Sequence, residues 1–287
     1  MPTQSAHLIS ADELRELLQQ GNRPTLLDCR FDLMNPAAGE QAYQQGHLPG
    51  AFYAHLDRDL SGPVQAGVTG RHTLPDPASL QARLRAWGLS ANSPLVVYDA
   101  NNGAYSARAW WLTRWAGLSN VRVLDGGLNA WLEQGGETSS ELPTPPTSSE
   151  LRVQCPADWV IDASTLQQQL AEFTLIDARA AARYSGDTEP LDPIAGHIPG
   201  AYCVDFNANL DADGRFLDAT TLKQRFEPLP DSNDWVCYCG SGVSACHNIL
   251  AMAVAGLPQP RLYSGSWSHW ITDSHRPIET GLTKDPL

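Results

Sequence analysis

Short, continuously apolar runs alternate with segments of helical spacing along the chain. Thr25-Leu26-Leu27-Asp28, Pro94-Leu95-Val96-Val97-Tyr98, Val121-Arg122-Val123-Leu124, Leu175-Ile176-Asp177 and Trp235-Val236-Cys237-Tyr238 read as buried strands. Between them, Ser10 caps a helix with Asp12 and Glu13 in its first turn and apolar residues at helical spacing. Further helix-like runs cover 106–115 and 128–134, and another follows residue 244 as far as Ala255. Helix and strand in alternation, with strands too apolar to face water on either side, predict an α/β protein with mostly parallel sheets covered by helices on both faces.

The pattern occurs twice. Leu26-Leu27-Asp28-Cys29-Arg30 returns as Leu175-Ile176-Asp177-Ala178-Arg179, and Gly46-His47-Leu48-Pro49-Gly50-Ala51 as Gly196-His197-Ile198-Pro199-Gly200-Ala201. Val96-Val97-Tyr98-Asp99 and Val236-Cys237-Tyr238-Cys239 match, as do the segments ending in Trp131 and Trp270. Two copies of one domain explain this most economically. Between them, the proline- and hydroxyl-rich 141–150 reads as an extended linker. The expected division is a first domain over 1–140, a linker over 141–155 and a second domain over 156–287.

Composition narrows the function. With 287 residues and 42% hydrophobic content, two medium domains can each bury a core. Nineteen basic against thirty-two acidic side chains leave a net charge of −13, which argues against nucleic acid or an anionic membrane as partner. An anionic substrate then needs a local positive patch. The first residues have neither a cationic start nor an apolar run, and no stretch reaches membrane-spanning length. Six irregularly spaced cysteines fit reduced thiols, so a cytoplasmic protein is expected.

The candidate chemistry lies where the last buried strand ends. After Cys239, Gly240-Ser241-Gly242-Val243-Ser244 forms a loop in which two glycines bracket a serine, and a helix follows. Such a loop turns backbone N–H groups toward one point, and the helix start adds its positive end, so a thiolate there is stabilised and nucleophilic. In the first copy Asp99 occupies the position of Cys239, which leaves the sulfur chemistry to the second. Cys237 reads as a core residue of the strand, and Cys246, His247 and Asn248 as helix residues. His47 and His197 recur in both copies, which marks them as turn or packing residues. A structural zinc site needs a second cysteine pair that the chain lacks. A cysteine phosphatase needs an arginine six residues after its cysteine, where this chain has Ala245.

Cys239-Gly240-Ser241-Gly242-Val243-Ser244 resembles the active-site loop of the 3-mercaptopyruvate sulfurtransferases, whose usual form ends in threonine, within the rhodanese superfamily. The resemblance covers nearly the whole chain and implies two rhodanese-like domains, the first inactive. It implies Cys239 as nucleophile, with Ser241, His72 and Asp57 managing protons at the donor carbonyl. It also implies Arg183 as a substrate-binding arginine. The family's second substrate arginine is absent, Leu191 standing in its place, and Arg30 is the candidate to supply that charge. Gly265-Ser266-Trp267 resembles the family's closing segment. The activity implied is transfer of sulfane sulfur from 3-mercaptopyruvate through a Cys239 persulfide to cyanide or a thiol, either a small thiol or a thioredoxin-like protein, with no cofactor or metal. Thiosulfate as donor is the alternative, and a sulfur-binding module without turnover lies in another class.

Overall fold

The computed structural model describes residues 5–144, 146–230, 234–282 and 286–287. Residues 1–4, part of the N-terminal reading, and Pro145 of the proline-rich segment lie outside them. The chain forms two compact units. The first comprises residues 1–62, 75–155 and 212–216, and the second 63–74, 156–211 and 217–287. Each unit therefore contains a short segment from the other half of the sequence.

The first unit holds strands β1 (Leu8–Ile9), β2 (Thr25–Asp28), β3 (Phe52–Tyr53), β4 (Leu95–Tyr98) and β5 (Val121–Leu124), in the order β1-β5-β4-β2-β3. The second holds β6 (Thr174–Asp177), β7 (Tyr202–Cys203), β8 (Trp235–Tyr238) and β9 (Arg261–Leu262), in the order β7-β6-β8-β9. Every pairing is parallel. β4, β6 and β8 are buried at all four of their residues, as a sheet covered on both faces requires.

The cores repeat with the sequence. Leu26, Leu48, Val96, Tyr98 and Trp131 pack together in the first unit, and Leu175, Ile198, Val236, Tyr238 and Trp270 in the second. His47 and His197 are buried and stack on Tyr43 and Tyr184, whose carbonyls lie 2.7 and 2.8 Å from their Nδ1 atoms. The packing role expected of both histidines is the one they have.

A buried ion pair closes the end of each central strand. Arg30 Nε donates to both Asp28 oxygens at 3.0 Å, and its Nη2 donates to Asp28 Oδ2 and the Gly46 carbonyl at 2.7 Å. Arg179 grips Asp177 at 3.1 and 2.7 Å and the Gly196 carbonyl at 2.7 Å. The planar guanidinium fork thus ties strand end to following turn in both units. After the proline-rich segment, the Leu151 carbonyl accepts from Arg85 Nε at 2.7 Å and Cys155 N–H donates to the Trp115 carbonyl at 3.0 Å, so residues 151–155 pack with the first unit. No helix among the described residues is long and apolar enough to cross a membrane.

Candidate active site

Cys239 follows β8 directly, at the carboxyl end of a parallel sheet, where α/β folds present reactive groups. Six residues later the helix Ala245–Val254 begins, buried along nearly its whole length. Gly242 has φ +83°, and a side chain there would meet the Ser264 carbonyl, so the turn admits only glycine. Its N–H donates to Cys239 Sγ at 3.1 Å. The N–H groups of Ser241, Val243 and Ser244 have no protein partner among the described residues. The loop therefore puts one N–H donor on the sulfur and leaves three more unpartnered close by in sequence, beside the positive end of a ten-residue helix.

The segment Gly265-Ser266-Trp267-Ser268 holds the loop from behind. Trp267 N–H donates to the Cys239 carbonyl and Ser268 N–H to the Gly240 carbonyl, both at 2.9 Å, while Cys239 N–H donates to Ser266 Oγ at 3.1 Å. Ser266 has φ +56°, a left-handed conformation costing about 1 kcal/mol for a residue with a side chain. Its hydroxyl offsets that cost by serving Cys239 N–H and donating to Tyr263 at 3.0 Å. Trp267 is a core residue, wholly buried, with Arg179 over its ring at 5.1 Å.

Cys239 is itself only 2% exposed, so a donor reaching it has to be small. Burial pushes Cys237 and Cys29 well above the ordinary range, and burial with Asp177 pushes Cys203 up to about 12.

His72, expected from the first copy, lies on the segment 63–74 that belongs to the second unit. Gly70 sits so close to the Gly265 carbonyl and Ser268 Oγ that a side chain would clash, and Arg71 N–H donates to Ser268 Oγ at 3.1 Å. This docking brings two successive residues to the loop. His72 Nδ1 lies 2.8 Å from Ser241 Oγ, with both side chains buried. The Arg71 guanidinium reaches Gly240: a methyl group there would stand 3.1 Å from Arg71 Nη2 and 3.3 Å from both terminal nitrogens of Arg183.

Two carboxylates hold these arginines. Asp192 pairs with Arg71 and, at 3.4 Å, with Arg183 Nη2; Glu189 accepts from Arg183 Nη2 at 2.7 and 2.9 Å. Burial opposes the Glu189 charge, but Arg183 and the N–H groups of Leu191 and Asp192 hold its carboxyl below the usual range. Burial pushes the Asp192 carboxyl up, against the pull of Arg71 and Arg183.

Of the residues singled out in the sequence, Cys239, Gly240, Ser241, Gly242, Val243, Ser244, His72 and Arg183 gather at one place in the second unit. Arg30 and Asp57 belong to the first. Arg30 is committed to Asp28 and Gly46, and Asp57 is exposed in the first turn of the short helix Leu56–Asp59. Sequence reasoning missed Arg71, Glu189, Asp192 and the supporting Ser266 and Ser268. The available signal was the cation directly preceding His72.

A recessed thiol that accepts a backbone N–H, close to a hydroxyl in contact with an imidazole, suits nucleophilic sulfur chemistry coupled to proton movement. The model of the rhodanese-like domain matches residues 10–134 and again 161–273. A Pseudomonas aeruginosa protein described as a probable 3-mercaptopyruvate sulfurtransferase is 51% identical, over 96% of this chain and 99% of its own length. A Mycobacterium tuberculosis protein described as a putative thiosulfate sulfurtransferase is 43% identical, over 96% of this chain and 97% of its own. The structure of the 3-mercaptopyruvate sulfurtransferase from Leishmania major superposes with a TM-score of 0.83 at 27% identity, covering 97% of this chain and 78% of that one. The chain belongs to the rhodanese-like family, as a sulfurtransferase that carries the domain twice.

Proposed function

We propose that the protein transfers sulfane sulfur from 3-mercaptopyruvate, through a persulfide on Cys239, to a thiol or cyanide. The observation that carries this reading is the 2.8 Å contact between Ser241 and His72 beside the nucleophile, because a hydroxyl served by an imidazole has work to do at a carbonyl and none at thiosulfate. The Cys239 thiolate attacks the donor sulfur. As the S–S bond forms, the carbon–sulfur bond breaks and its electron pair becomes the enolate of pyruvate. Ser241 donates its hydroxyl hydrogen to the enolate oxygen while His72, as the Nδ1–H tautomer, donates to Ser241 Oγ, and protonation at carbon by solvent water releases pyruvate. The donor's thiol hydrogen stays on the outer persulfide sulfur, so atoms and charge balance. An incoming thiolate then takes that sulfur and returns Cys239 to its starting state.

The second unit bears the chemistry, and the first, with Asp99 at the nucleophile position, is an inactive copy. Six free cysteines fit a reducing, cytoplasmic setting and an acceptor that is a small thiol or a thioredoxin-like protein. The Mycobacterium tuberculosis relative supports thiosulfate as the competing donor. Steady-state rates with both donors, for wild type and Ser241→Ala, decide between them. The reading expects mercaptopyruvate to be preferred and the serine variant to lose ten- to a hundredfold with it, roughly the size of a lost oxyanion or proton-transfer contribution. Preference for thiosulfate, or indifference to Ser241→Ala, overturns it.

A further inference from the structure

Two guanidinium groups from distant parts of the sequence converge above Gly240, next to the nucleophile. Their acidic partners face inward: the side chains of Asp192 and Glu189 are 3% and 4% exposed, against 30% for Arg71 and 20% for Arg183. The donors are not used up. Arg71 bonds Asp192 through Nη1, and Arg183 bonds both acids through Nη2. Arg71 Nη2 and Arg183 Nη1 have no partner among the described residues, and both of these nitrogens stand over Gly240. Asp192, bonded to both cations, fixes their spacing, and the docking of Gly70 and Arg71 on Gly265 and Ser268 fixes the approach.

We propose that Arg71 and Arg183 form a two-arginine clamp for the carboxylate of the sulfur donor, with Arg71 supplying from residues 63–74 the second cation that the stretch after Arg183 lacks. Successive residues of one segment then meet successive residues of the loop: Arg71 over Gly240 for the carboxylate, and His72 on Ser241 for the carbonyl. Guanidinium suits this task because its planar donors pair with carboxylate oxygens in fixed geometry. In a chain of net charge −13, a local clamp is also how an anionic donor is retained.

The donor's identity rests on the function proposed above, but the clamp can be tested without it. Iodoacetate and iodoacetamide are alkylating agents of nearly equal size, and only the first carries a carboxylate. Their rates of modification at Cys239, followed by peptide mass, are compared with those of a free thiol such as N-acetylcysteine. The clamp predicts saturable modification by iodoacetate, protection by pyruvate, and an iodoacetate-to-iodoacetamide ratio about ten- to a hundredfold above that of the free thiol, as one or two charge-assisted hydrogen bonds give. Arg71→Gln should return the ratio to the free-thiol value and abolish protection by pyruvate, and Arg71→Lys should fall between. The paired variant Arg71→Gln/Asp192→Asn removes both charges and gives the reading if the single change unfolds the protein. A wild-type ratio equal to that of the free thiol, or an unchanged ratio in the Arg71→Gln or paired variant, overturns the clamp. If the clamp holds while wild type ignores mercaptopyruvate, the donor assignment fails alone.

Discussion

Asp99 and Cys239 occupy the same place in the two units and use it in opposite ways. The Asp99 carboxylate accepts from the N–H groups of Asn101, Gly103, Tyr105 and Ser106 at 2.8–3.0 Å. Its cradle is filled by its own side chain. Cys239 Sγ accepts from Gly242 alone among the described residues, and the N–H groups of Ser241, Val243 and Ser244 remain available. By contrast, the Arg30–Asp28 and Arg179–Asp177 pairs, the stacked histidines and the core tyrosines are alike in both units. What the duplication kept is what holds a sheet to its turns; what it changed is the chemistry of one loop.

The largest way to break this comparison is to remove the sulfur. Cys239→Ser should lower turnover by roughly a thousandfold or more, since a serine hydroxyl is not ionised where a thiol can be. Asp99→Cys in that background should restore nothing, because the first loop has no counterpart of the Ser241–His72 pair. Measurable transfer by the double variant would show that the cradle alone suffices.

Next come the features the units share. Arg30→Gln and Arg179→Gln each leave a buried aspartate without its cation, which costs about 3–5 kcal/mol. The second should cost more, since its side chain is 1% exposed against 11% for Arg30. Denaturant unfolding followed by tryptophan fluorescence would check this, and a stability-neutral Arg30→Gln would contradict a structural role for the pair. Asp99→Ala should destabilise by about 2–3 kcal/mol through its uncapped N–H groups, without lowering turnover of the folded protein.

The smallest effect is that of pH. Burial, with a contribution from Arg114, lowers His7 in the first unit from 6.5 to about 4, and burial lowers His197 in the second. Below pH 6.5 the unfolded chain binds a proton that folded His7 refuses, so stability falls as pH drops from 6.5 toward 4, below which the loss is complete. Solvent screening limits this to ~1 kcal/mol for His7, or about 2–4 °C in Tm. His7→Gln should flatten that part of the acid slope; an unchanged slope assigns it elsewhere.

The fold was legible because both copies carry its signal. Apolar runs around Leu26, Val96, Leu175 and Val236 became central strands, and the repeated Gly-His-x-Pro-Gly turns became the sites of the buried histidines. The two-residue strands β1, β3, β7 and β9 are too short to show any period. The helix read from Ser106 starts at Ala104, because Gly103 at φ +78° allows an earlier turn. Cys239 and its loop could be read from local glycine spacing. Arg71 could not, because its meaning depends on Asp192, 121 residues away, and on a segment that packs with the other half of the chain. Local patterns report what a segment becomes, whereas the partner of a single surface cation is set by tertiary packing.

The central claim is that one sulfur atom passes through Cys239 and not through any other thiol. Its most direct test is the mass of the protein after brief treatment with 3-mercaptopyruvate and removal of excess donor. The account predicts a gain of one sulfur atom, located on the peptide containing Cys237 and Cys239, retained in Cys237→Ala, lost in Cys239→Ser, and released on adding an acceptor thiol. A gain that survives in Cys239→Ser, or one that no acceptor removes, would contradict it.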